Sequence, residues 1–440
     1  MSHKMLALLL AAAVAPALPA LDVDLAGYLK LVEDNNKGLQ VARTEVSQTE
    51  QVKKEAFAAL LPNAGLQAGY TRNLNEISQP VASYATASAM PGVYPITYTD
   101  QVVSYNNELD LAAGLNFTIF DAAAYAHYDQ ATEGVSARRA GYDYQRKATL
   151  NAARKLYYQA LLLGEVVKVK ESAEKNAHDS YSSVQARFAV GLTTELDALL
   201  AEVEWKGKSP ETAEARRNRD VALLGFKQLA GIAPDQQVVL TESMETYPAA
   251  PPEPPFTDVL AARSDYALLL HQRTLAELSV KAANASYYPT VSGSFAIANQ
   301  RFSNEWGFND YAPLAVQLGL KVTLPVYEGG YRPAKISEEE MGLAKCNTEI
   351  AQKQEDISRE LTSARLSLDE AGARIQNASS VLGVARRAFD KATVSFANGV
   401  ATQLQLNQAS LNLEGSHLAY LAAVYDYLAA YFDWELAAGQ

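Results

Sequence analysis

The feature that most constrains this chain is an internal repeat. The stretch RFAVGLTTELDALL at 187–200 returns as SFANGVATQLQLNQ at 395–408, with Phe, Ala, Gly, Thr and Leu at matching positions. In each stretch one glycine interrupts two helix-like sequences. Gly191 and Gly399 are therefore predicted to reverse the chain between helices, because glycine adopts a positive φ at little cost. A duplicated sequence predicts two structurally similar halves.

The repeat extends over nearly the whole chain. AALLPNAGLQAGY at 58–70 resembles ASYYPTVSGSFAI at 285–297, which aligns Pro62 with Pro289. TIFDAA matches PVYEGG, which aligns Asp121 with Glu328 and places Gly329 in a strand-to-helix turn. We therefore predict a first repeat at 22–231, a proline-rich linker at 232–256 and a second repeat at 257–440. The first repeat has an additional segment, SQPVASYATASAMPGVYPIT, predicted to be an extended loop.

Each repeat shows the same predicted order of elements. The order is helix, β-hairpin, long helix, tip turn and helix, and the long helices of about 70 residues would each extend about 105 Å. The first repeat has its hairpin at about 63–120, its long helix at 121–190, its turn at 191 and its last helix at 192–230. The second has helix 257–288, hairpin 290–326, long helix 328–398, turn 399 and helix 400–438.

The long helices carry a heptad pattern, which is typical of coiled coils. In the second repeat the apolar or small positions alternate spacings of three and four: Ile357, Leu361, Ala364, Leu368, Ala371, Ile375, Ala378, Leu382, Ala385, Phe389, Ala392 and Phe396. In the first repeat Lys170 and Glu174 interrupt the pattern. They indicate either a hydrated or partner-facing stretch or a solvated face, and we favour the solvated face.

The predicted strands alternate apolar and polar residues with a period of two, most clearly from Leu109 to Ile119. This alternation over about 11 residues is typical of membrane β-strands, although a half-buried strand of a soluble sheet has the same pattern. The membrane interpretation is favoured by the hairpins being the only sheet expected and by aromatic residues near the strand ends: Tyr287, Tyr288, Trp306 and Tyr311. Small residues are expected on the polar face: Gly69, Gly114, Gly293 and Gly319. Four strands cannot close a barrel, so oligomerisation is predicted.

Composition and the N-terminus restrict the class of protein further. Residues 1–17 read as a signal peptide, with cleavage between 17 and 20. A net charge of −12 argues against nucleic-acid binding. Cys346 is the single cysteine, and the five histidines have no metal-binding spacing. Since no catalytic triad spacing or phosphate loop is present, we expect neither an enzyme nor a bound cofactor or metal.

The order of motifs, ending in PVYEGG and FANGVATQLQL, resembles the TolC family of outer-membrane efflux and secretion channels over residues 22–440. The resemblance implies a mainly α fold with a small β part. It implies a homotrimer with a twelve-stranded transmembrane β-barrel in outer-membrane lipid and a coiled-coil α-helical barrel in the periplasm. The implied partners are a periplasmic adaptor and an inner-membrane pump of the RND, ABC or MFS type.

The resemblance also implies a periplasmic aperture at the tip turns. Its residues would be Phe188, Gly191, Thr194, Glu195, Asp197, Phe396, Gly399, Ala401, Thr402, Gln405 and Gln408, and the strand-helix junctions would be Pro62, Asp121, Pro289, Glu328 and Gly329. The family's ring of aspartates falls on Gln405 and Gln408. Asp197 matches a family aspartate that latches the closed state. Its expected partners fall on Phe396 and Ala401, so that latch cannot form here.

We therefore expect a passive exit duct of a tripartite efflux pump or type I secretion system, opened by movement of the tip helices. Its cargo would be drugs, small molecules or proteins, with the choice set by the partner pump. The alternative is a soluble periplasmic coiled-coil adaptor or scaffold. Adaptors lack two alternating hairpins and this duplicated order, so the duct is favoured.

Overall fold

The computed structural model describes residues 21–75, 77–84, 96–305 and 314–440. The predicted signal peptide and the aromatic positions Trp306 and Tyr311 lie outside these ranges. The chain forms two compact units. The helical unit comprises the chain up to Val46, Ala137–Leu270 and Thr348–Gln440, and the strand unit comprises Ser47–Ser136 and His271–Asn347.

Helices make up most of the described residues. They are α1 (Leu25–Asn35), α2 (Lys37–Ala58), α3 (Ala122–Ala189), α4 (Glu195–Leu229), α5 (Phe256–Ala262), α6 (Ser264–Ala285), α7 (Tyr331–Ala397) and α8 (Gln403–Ala437). The strands are β1 (Leu21–Val23), β2 (Asn63–Arg72), β3 (Ser78–Tyr84), β4 (Ile96–Val102), β5 (Asn107–Phe120), β6 (Val238–Leu240), β7 (Thr290–Ser303) and β8 (Leu314–Thr323). Over the described ranges, no helix combines the length and apolar character needed to cross a bilayer.

The first helical segment is interrupted, whereas the sequence predicted a continuous helix-like segment from 22 to 61. Asn36 separates α1 from α2 and has extended backbone angles. Its side-chain oxygen accepts a hydrogen bond from the Leu39 amide at 3.1 Å. Asparagine competes with helical backbone hydrogen bonds in this way, so it ends one helix and begins the next.

The internal repeat is visible in how each half closes on itself. Asn36 Nδ2 donates to the Leu229 carbonyl at 3.0 Å, and Arg263 Nη1 donates to the Ala437 carbonyl at 3.2 Å. In each half a residue at the break between two short helices therefore satisfies a carbonyl in the last turn of that half's final helix, which otherwise lacks an intrahelical partner.

The main apolar core lies in the helical unit and is built around aromatic side chains. Tyr28 stacks on Phe226 with ring centroids 3.9 Å apart, and its hydroxyl donates to the Phe226 carbonyl at 3.1 Å. The Tyr157 hydroxyl donates to the carbonyl of Val23 in β1, which pairs in parallel with β6 of the linker. The linker predicted at 232–256 thus contributes a strand as well as proline-rich chain.

The strand unit contains a four-stranded sheet in the order β2-β5-β7-β8, with all neighbours antiparallel. The pairing register aligns Leu66 with Ala113, Ala113 with Ile297, and Ile297 with Val316. Directly paired residues project to the same face. The apolar positions of all four strands therefore share one face, as the alternation predicted.

Three details of the strand prediction were wrong. Residues 78–84 and 96–102 form a separate antiparallel hairpin, β3 and β4, and β3 and the first two residues of β4 lie in the segment 78–97 predicted to be an extended loop. The register of β5 shifts between Thr118 and Phe120, so the strict alternation predicted to continue to Ile119 ends there. Gly293 pairs with Phe117 and Leu320 on the apolar face, not the polar face, and the Phe117 ring covers it.

Candidate functional site

The two tip turns have the same backbone geometry. Gly191 has a φ of 73° and Gly399 a φ of 74°. The amide after each glycine donates back to the preceding helix, Leu192 to the Arg187 carbonyl and Val400 to the Ser395 carbonyl, both at 2.9 Å. These bonds, with those from the glycine amides, define a Schellman motif at the end of α3 and of α7. A side chain at either glycine would be strained, because L-residues disfavour this region.

Each turn is followed by a capping box that starts the next helix. Thr194 and Thr402 are the N-caps of α4 and α8, and their hydroxyls accept hydrogen bonds from the amides of Asp197 and Gln405. In return, an Asp197 carboxylate oxygen accepts from the Thr194 amide at 3.3 Å, and Gln405 Oε1 accepts from the Thr402 amide at 2.9 Å. Asp197 and Gln405 therefore occupy equivalent structural positions.

The Asp197 carboxylate is held within its own turn. The Thr194 hydroxyl donates to it at 2.7 Å and the Thr193 hydroxyl at 2.8 Å. These bonds stabilise the ionised form, so the pKa of Asp197 lies below its usual value, with the Thr194 hydroxyl the largest cause. No hydrogen bond or ion pair described for Asp197 reaches the second repeat.

The other predicted aperture residues are divided between surface and packing positions. Phe188, Glu195, Gln405 and Gln408 are exposed. The Gln408 amide donates to Asn412 on α8 at 3.0 Å. Ala401 is half-buried and its amide donates to the Ser395 carbonyl at 3.2 Å.

Phe396 is the predicted residue that joins the two repeats. It packs against a small apolar cluster, the tip cluster, formed by Val184 of α3 with Ala198 and Ala201 of α4, together with Tyr181. In the first repeat Tyr181 also stacks on Trp205, with ring centroids 5.3 Å apart. The end of α7 therefore rests on the hairpin formed by α3 and α4.

An arginine that the sequence analysis did not select fixes this contact. Arg187 Nη1 donates to the Phe396 carbonyl at 3.2 Å and Nη2 to the Ala397 carbonyl at 2.8 Å. Its guanidinium carbon lies 4.9 Å from the centre of the Phe396 ring. Carbonyls in the last turn of a helix lack intrahelical donors, and a cation there is favourable. Arg187 of the first repeat thus caps the long helix of the second.

The sequence contains one signal for this role. Arg187 lies in the last turn of α3, and the equivalent position in the second repeat is Ser395. Because the two turns are otherwise similar, this difference between the repeats could have identified Arg187 as a candidate. The partners, however, are backbone carbonyls, which no side-chain motif records.

The strand-helix junctions differ in chemistry between repeats. An Asp121 carboxylate oxygen accepts from the amides of Ala123 and Ala124 at 2.9 and 3.1 Å, so it caps α3. Glu328 instead accepts from Arg332 Nε at 3.0 Å, and Arg332 also donates to the Pro325 carbonyl. Pro62 and Pro289 each immediately precede a strand, and Gly329 has a φ of 61° before α7 begins.

Comparisons with known proteins agree with this architecture. The family model described as "Outer membrane efflux protein" matches residues 28–232 and 257–440, which correspond to the two repeats. The alkaline protease secretion protein AprF of Pseudomonas aeruginosa is 23% identical over 428 residues, which cover 94% of this chain and 83% of AprF. The outer membrane efflux protein BepC of Brucella suis biovar 1 is 23% identical over 438 residues, covering 99% of this chain and 89% of BepC.

A solved structure shares the fold. The outer membrane protein VceC of Vibrio cholerae superposes with a TM-score of 0.72 at 18% identity, covering 94% of this chain and 96% of VceC. The internal repeat and the family resemblance inferred from the sequence are thereby confirmed. Since the family model matches both repeats along most of the chain, the protein belongs to the outer membrane efflux protein family and is an exit duct of the outer membrane.

Proposed function

We propose that three copies of this chain form one duct, in which four strands per copy build a twelve-stranded barrel and the tip turns form the periplasmic aperture. Transport through the duct is passive. A periplasmic adaptor and an inner-membrane pump dock on the periplasmic part, and the pump selects the cargo.

The observation that carries this proposal is the incomplete sheet. In the described chain, β2 and β8 each pair with a single strand, so each has an unpaired edge. The apolar face is also strongly exposed: Leu66 of β2 is 90% exposed and Leu318 of β8 is 81% exposed. Apolar side chains facing lipid require a sheet without open edges, because unpaired backbone groups are costly in hydrocarbon. Joining β8 of one copy to β2 of the next satisfies both edges.

Disulfide cross-linking tests this arrangement directly. In a Cys346→Ser background, we would combine Leu66→Cys with cysteines along the apolar face of β8, at Val316, Leu318 or Leu320 in turn. Facing positions in paired strands bring Cβ atoms to about 5 Å. We expect at least one pair to give cross-linked dimers and trimers in the outer-membrane fraction.

The matched control combines Leu66→Cys with Phe295→Cys instead of with a cysteine in β8. Phe295 lies on the same face but in β7, which is already paired on both sides. It should give no cross-linked oligomers. Recovery of the protein as a soluble monomer, with no β2–β8 cross-link at any position, would instead favour the adaptor class.

At the aperture, we propose that the Arg187 contact holds the tip turns together in place of the family latch. That latch would join Asp197 to side chains at the positions that Phe396 and Ala401 occupy here. Two charge-assisted hydrogen bonds and an arginine-aromatic contact join the ends of α3 and α7, which come from different repeats. Separating these helix ends would leave the Ala397 carbonyl without this donor. The contact therefore favours the arrangement in which the two tip turns stay together.

A further inference from the structure

Charged side chains join three helices inside the helical unit. Lys170 Nζ of α3 donates to Glu414 of α8 and to Glu211 of α4, both at 2.6 Å. Lys208 Nζ of α4 donates to the other oxygen of Glu414 at 2.8 Å. The side chains of Lys208 and Glu414 are each only 8% exposed. Lys170 was expected on a solvated face, and that prediction was wrong: it is the centre of this cluster, here called the ionic joint.

The ionic joint lies between two separate apolar clusters. On α3 the main core reaches Leu162, whereas the tip cluster begins at Tyr181. On α4 the tip cluster ends at Ala201, whereas the main core begins at Leu223. The joint residues fall in the gap on both helices. Buried apolar residues at this level, among them Val167 and Ala173 of α3 and Ala215 of α4, belong to neither cluster. The charge pairs supply the hydrogen bonds that join α3, α4 and α8 here.

Two of the three helices also contain helix-weakening residues at this level. Pro210 lies inside α4, between Lys208 and Glu211. It has no amide hydrogen and therefore removes one backbone hydrogen bond from the helix. Gly207 precedes it on α4 and Gly415 follows Glu414 on α8, and an added Cβ would contact nothing within 4 Å at either glycine. Neither glycine is thus required by close packing, and both lower helix propensity.

We propose that the ionic joint is the pivot at which the tip segments of α4 and α8, residues 195–207 and 403–413, move relative to the main core. Glu414 accepts hydrogen bonds from both lysines at once, so its carboxylate fixes how α3, α4 and α8 meet. The inference rests on the proposed function in one respect: that movement of the tip segments opens the pore.

Charge pairs suit a pivot better than an apolar core does. A buried ion pair contributes little net stability, but removing one partner leaves an uncompensated buried charge. The joint therefore tolerates few intermediate geometries and specifies one arrangement when complete. On the far side of the joint the tip cluster includes Ala198 and Ala201 of α4, and Gln403 Nε2 of α8 donates to Ser180 Oγ of α3 at 3.0 Å. These contacts are few, so we expect the tip segments to loosen once the joint is broken.

The joint also has a defined response to acid. Burial raises the pKa of Glu414, but hydrogen bonds from Lys170 and Lys208 outweigh it, and the pKa lies below its ordinary value. The stabilisation is therefore complete above that ordinary value and is lost as the pH falls through the lowered pKa. The charged and titratable groups around Glu414 are Glu165, Lys168 and Lys170 of α3, Glu204, Lys208 and Glu211 of α4, Arg386 of α7 and His417 of α8.

Hydrogen exchange on the full chain in detergent tests the pivot. Glu414→Gln keeps the shape of the side chain but removes the carboxylate to which both lysines donate hydrogen bonds. Lys170 keeps Glu211 at 2.6 Å, whereas Lys208 keeps only Glu204 and Glu211, each at 3.8 Å. We expect exchange in residues 195–207 and 403–413 to rise about tenfold or more, with the main-core part of α8 unchanged. In the parent protein, the same segments should lose protection as the pH falls from the ordinary pKa of Glu414 through its lowered pKa, while Glu414→Gln should lack this response.

The control is Glu435→Gln, which removes a different α3–α8 ion pair, that with Arg154 at 2.6 Å. It should leave the tip segments unchanged. If Glu414→Gln does not fold, the triple variant Lys170→Met, Lys208→Met, Glu414→Leu removes the buried charges together and should restore tip protection to the parent level or above. Uniform loosening of α8 in Glu414→Gln, or no loosening, would overturn the pivot. Tip loosening without any change in channel current would uphold the pivot and contradict the aperture.

Discussion

At Gly399 and Gly191 the absence of a side chain decides the path of the chain. Both have a positive φ at the end of a long helix. Gly399→Ala should destabilise the last turn of α7 by about 1 kcal/mol, because Cβ is disfavoured in this region. Hydrogen exchange of the residues around 395–400 should rise accordingly.

Gly383→Ala is the matched control on the same helix. Gly383 lies within α7, with no atom near enough to contact an added Cβ. There the same substitution should stabilise the helix by about 1 kcal/mol, because alanine has the higher helix propensity. Equal effects of the same sign at both positions would contradict the tip-turn geometry.

The equivalence of Gln405 and Asp197 allows a charge to be added without disturbing the turn. Gln405→Asp should keep the capping box, since aspartate already fills the corresponding position in the first repeat. If the exposed residue faces the aperture, the added carboxylates will raise the cation selectivity measured from reversal potentials in planar bilayers.

Thr402→Ala is the control that disturbs the capping box of α8 without adding a charge. It removes the N-cap hydroxyl of α8 and should destabilise the helix start by about 1 kcal/mol without altering selectivity. An unchanged reversal potential for Gln405→Asp would show that Gln405 does not line the constriction.

The structural roles of single residues were harder to predict from the sequence than the helices and strands. Gly191 and Gly399 are evident from sequence because positive φ has a residue preference. Arg187 is not evident, because its acceptors are carbonyls brought close only by tertiary structure. Gln405 and Gln408 were interpreted through the family pattern, whereas Gln405 also has a local role in the capping box.

Arg187 supplies the hydrogen bonds between the ends of α3 and α7, in addition to the packing of Phe396 on the tip cluster. Arg187→Met should weaken it by about 1–3 kcal/mol, because both hydrogen bonds to the α7 carbonyls are lost. We expect a larger open fraction in bilayer recordings and faster exchange at the end of α7. Arg187→Lys should have an intermediate effect, since an ammonium lacks the planar fork that reaches two carbonyls.

Arg387→Met serves as the control for loss of an exposed arginine on α7. Arg387 Nε donates to the Gly383 carbonyl of its own helix at 3.3 Å. Its replacement should leave the open fraction unchanged. If Arg187→Met and Arg387→Met behaved alike, the contact between the helix ends would not govern opening.

The elements could be predicted where a periodic pattern was long. Alternation over the strands determined which residues share the apolar face, because a slip of one residue would invert every side chain. The pattern failed at Ile119, where the register shifts. It also failed for β3 and β4, where serine, proline and tyrosine indicated a loop although the strands pair and place Ala82 opposite Tyr98. The interruption of the heptads at Lys170 also required the partner Glu414, which lies far along the chain.

In the proposed duct the whole molecule places the apolar face of its sheet against lipid. Leu318→Arg introduces a charge on the apolar face and should cost about 2–4 kcal/mol if it lies near the bilayer centre. We expect reduced recovery of trimers from the outer membrane. Gln317→Arg, one residue earlier and on the opposite face, should assemble normally. Similar assembly of both variants would contradict the membrane-facing assignment.

The difference between Arg187 and Ser395 limits the symmetry of the assembled duct. Although the repeat gives six similar tip turns in the proposed trimer, only three of them supply the capping arginine. The proposed aperture then has three such contacts, or fastenings, rather than six. Because each joins two helices of one chain, we expect each to be released separately. Trimers mixing parent and Arg187→Met chains should show four graded conductance levels, one for each number of intact fastenings, which single-channel recording on mixed assemblies would count.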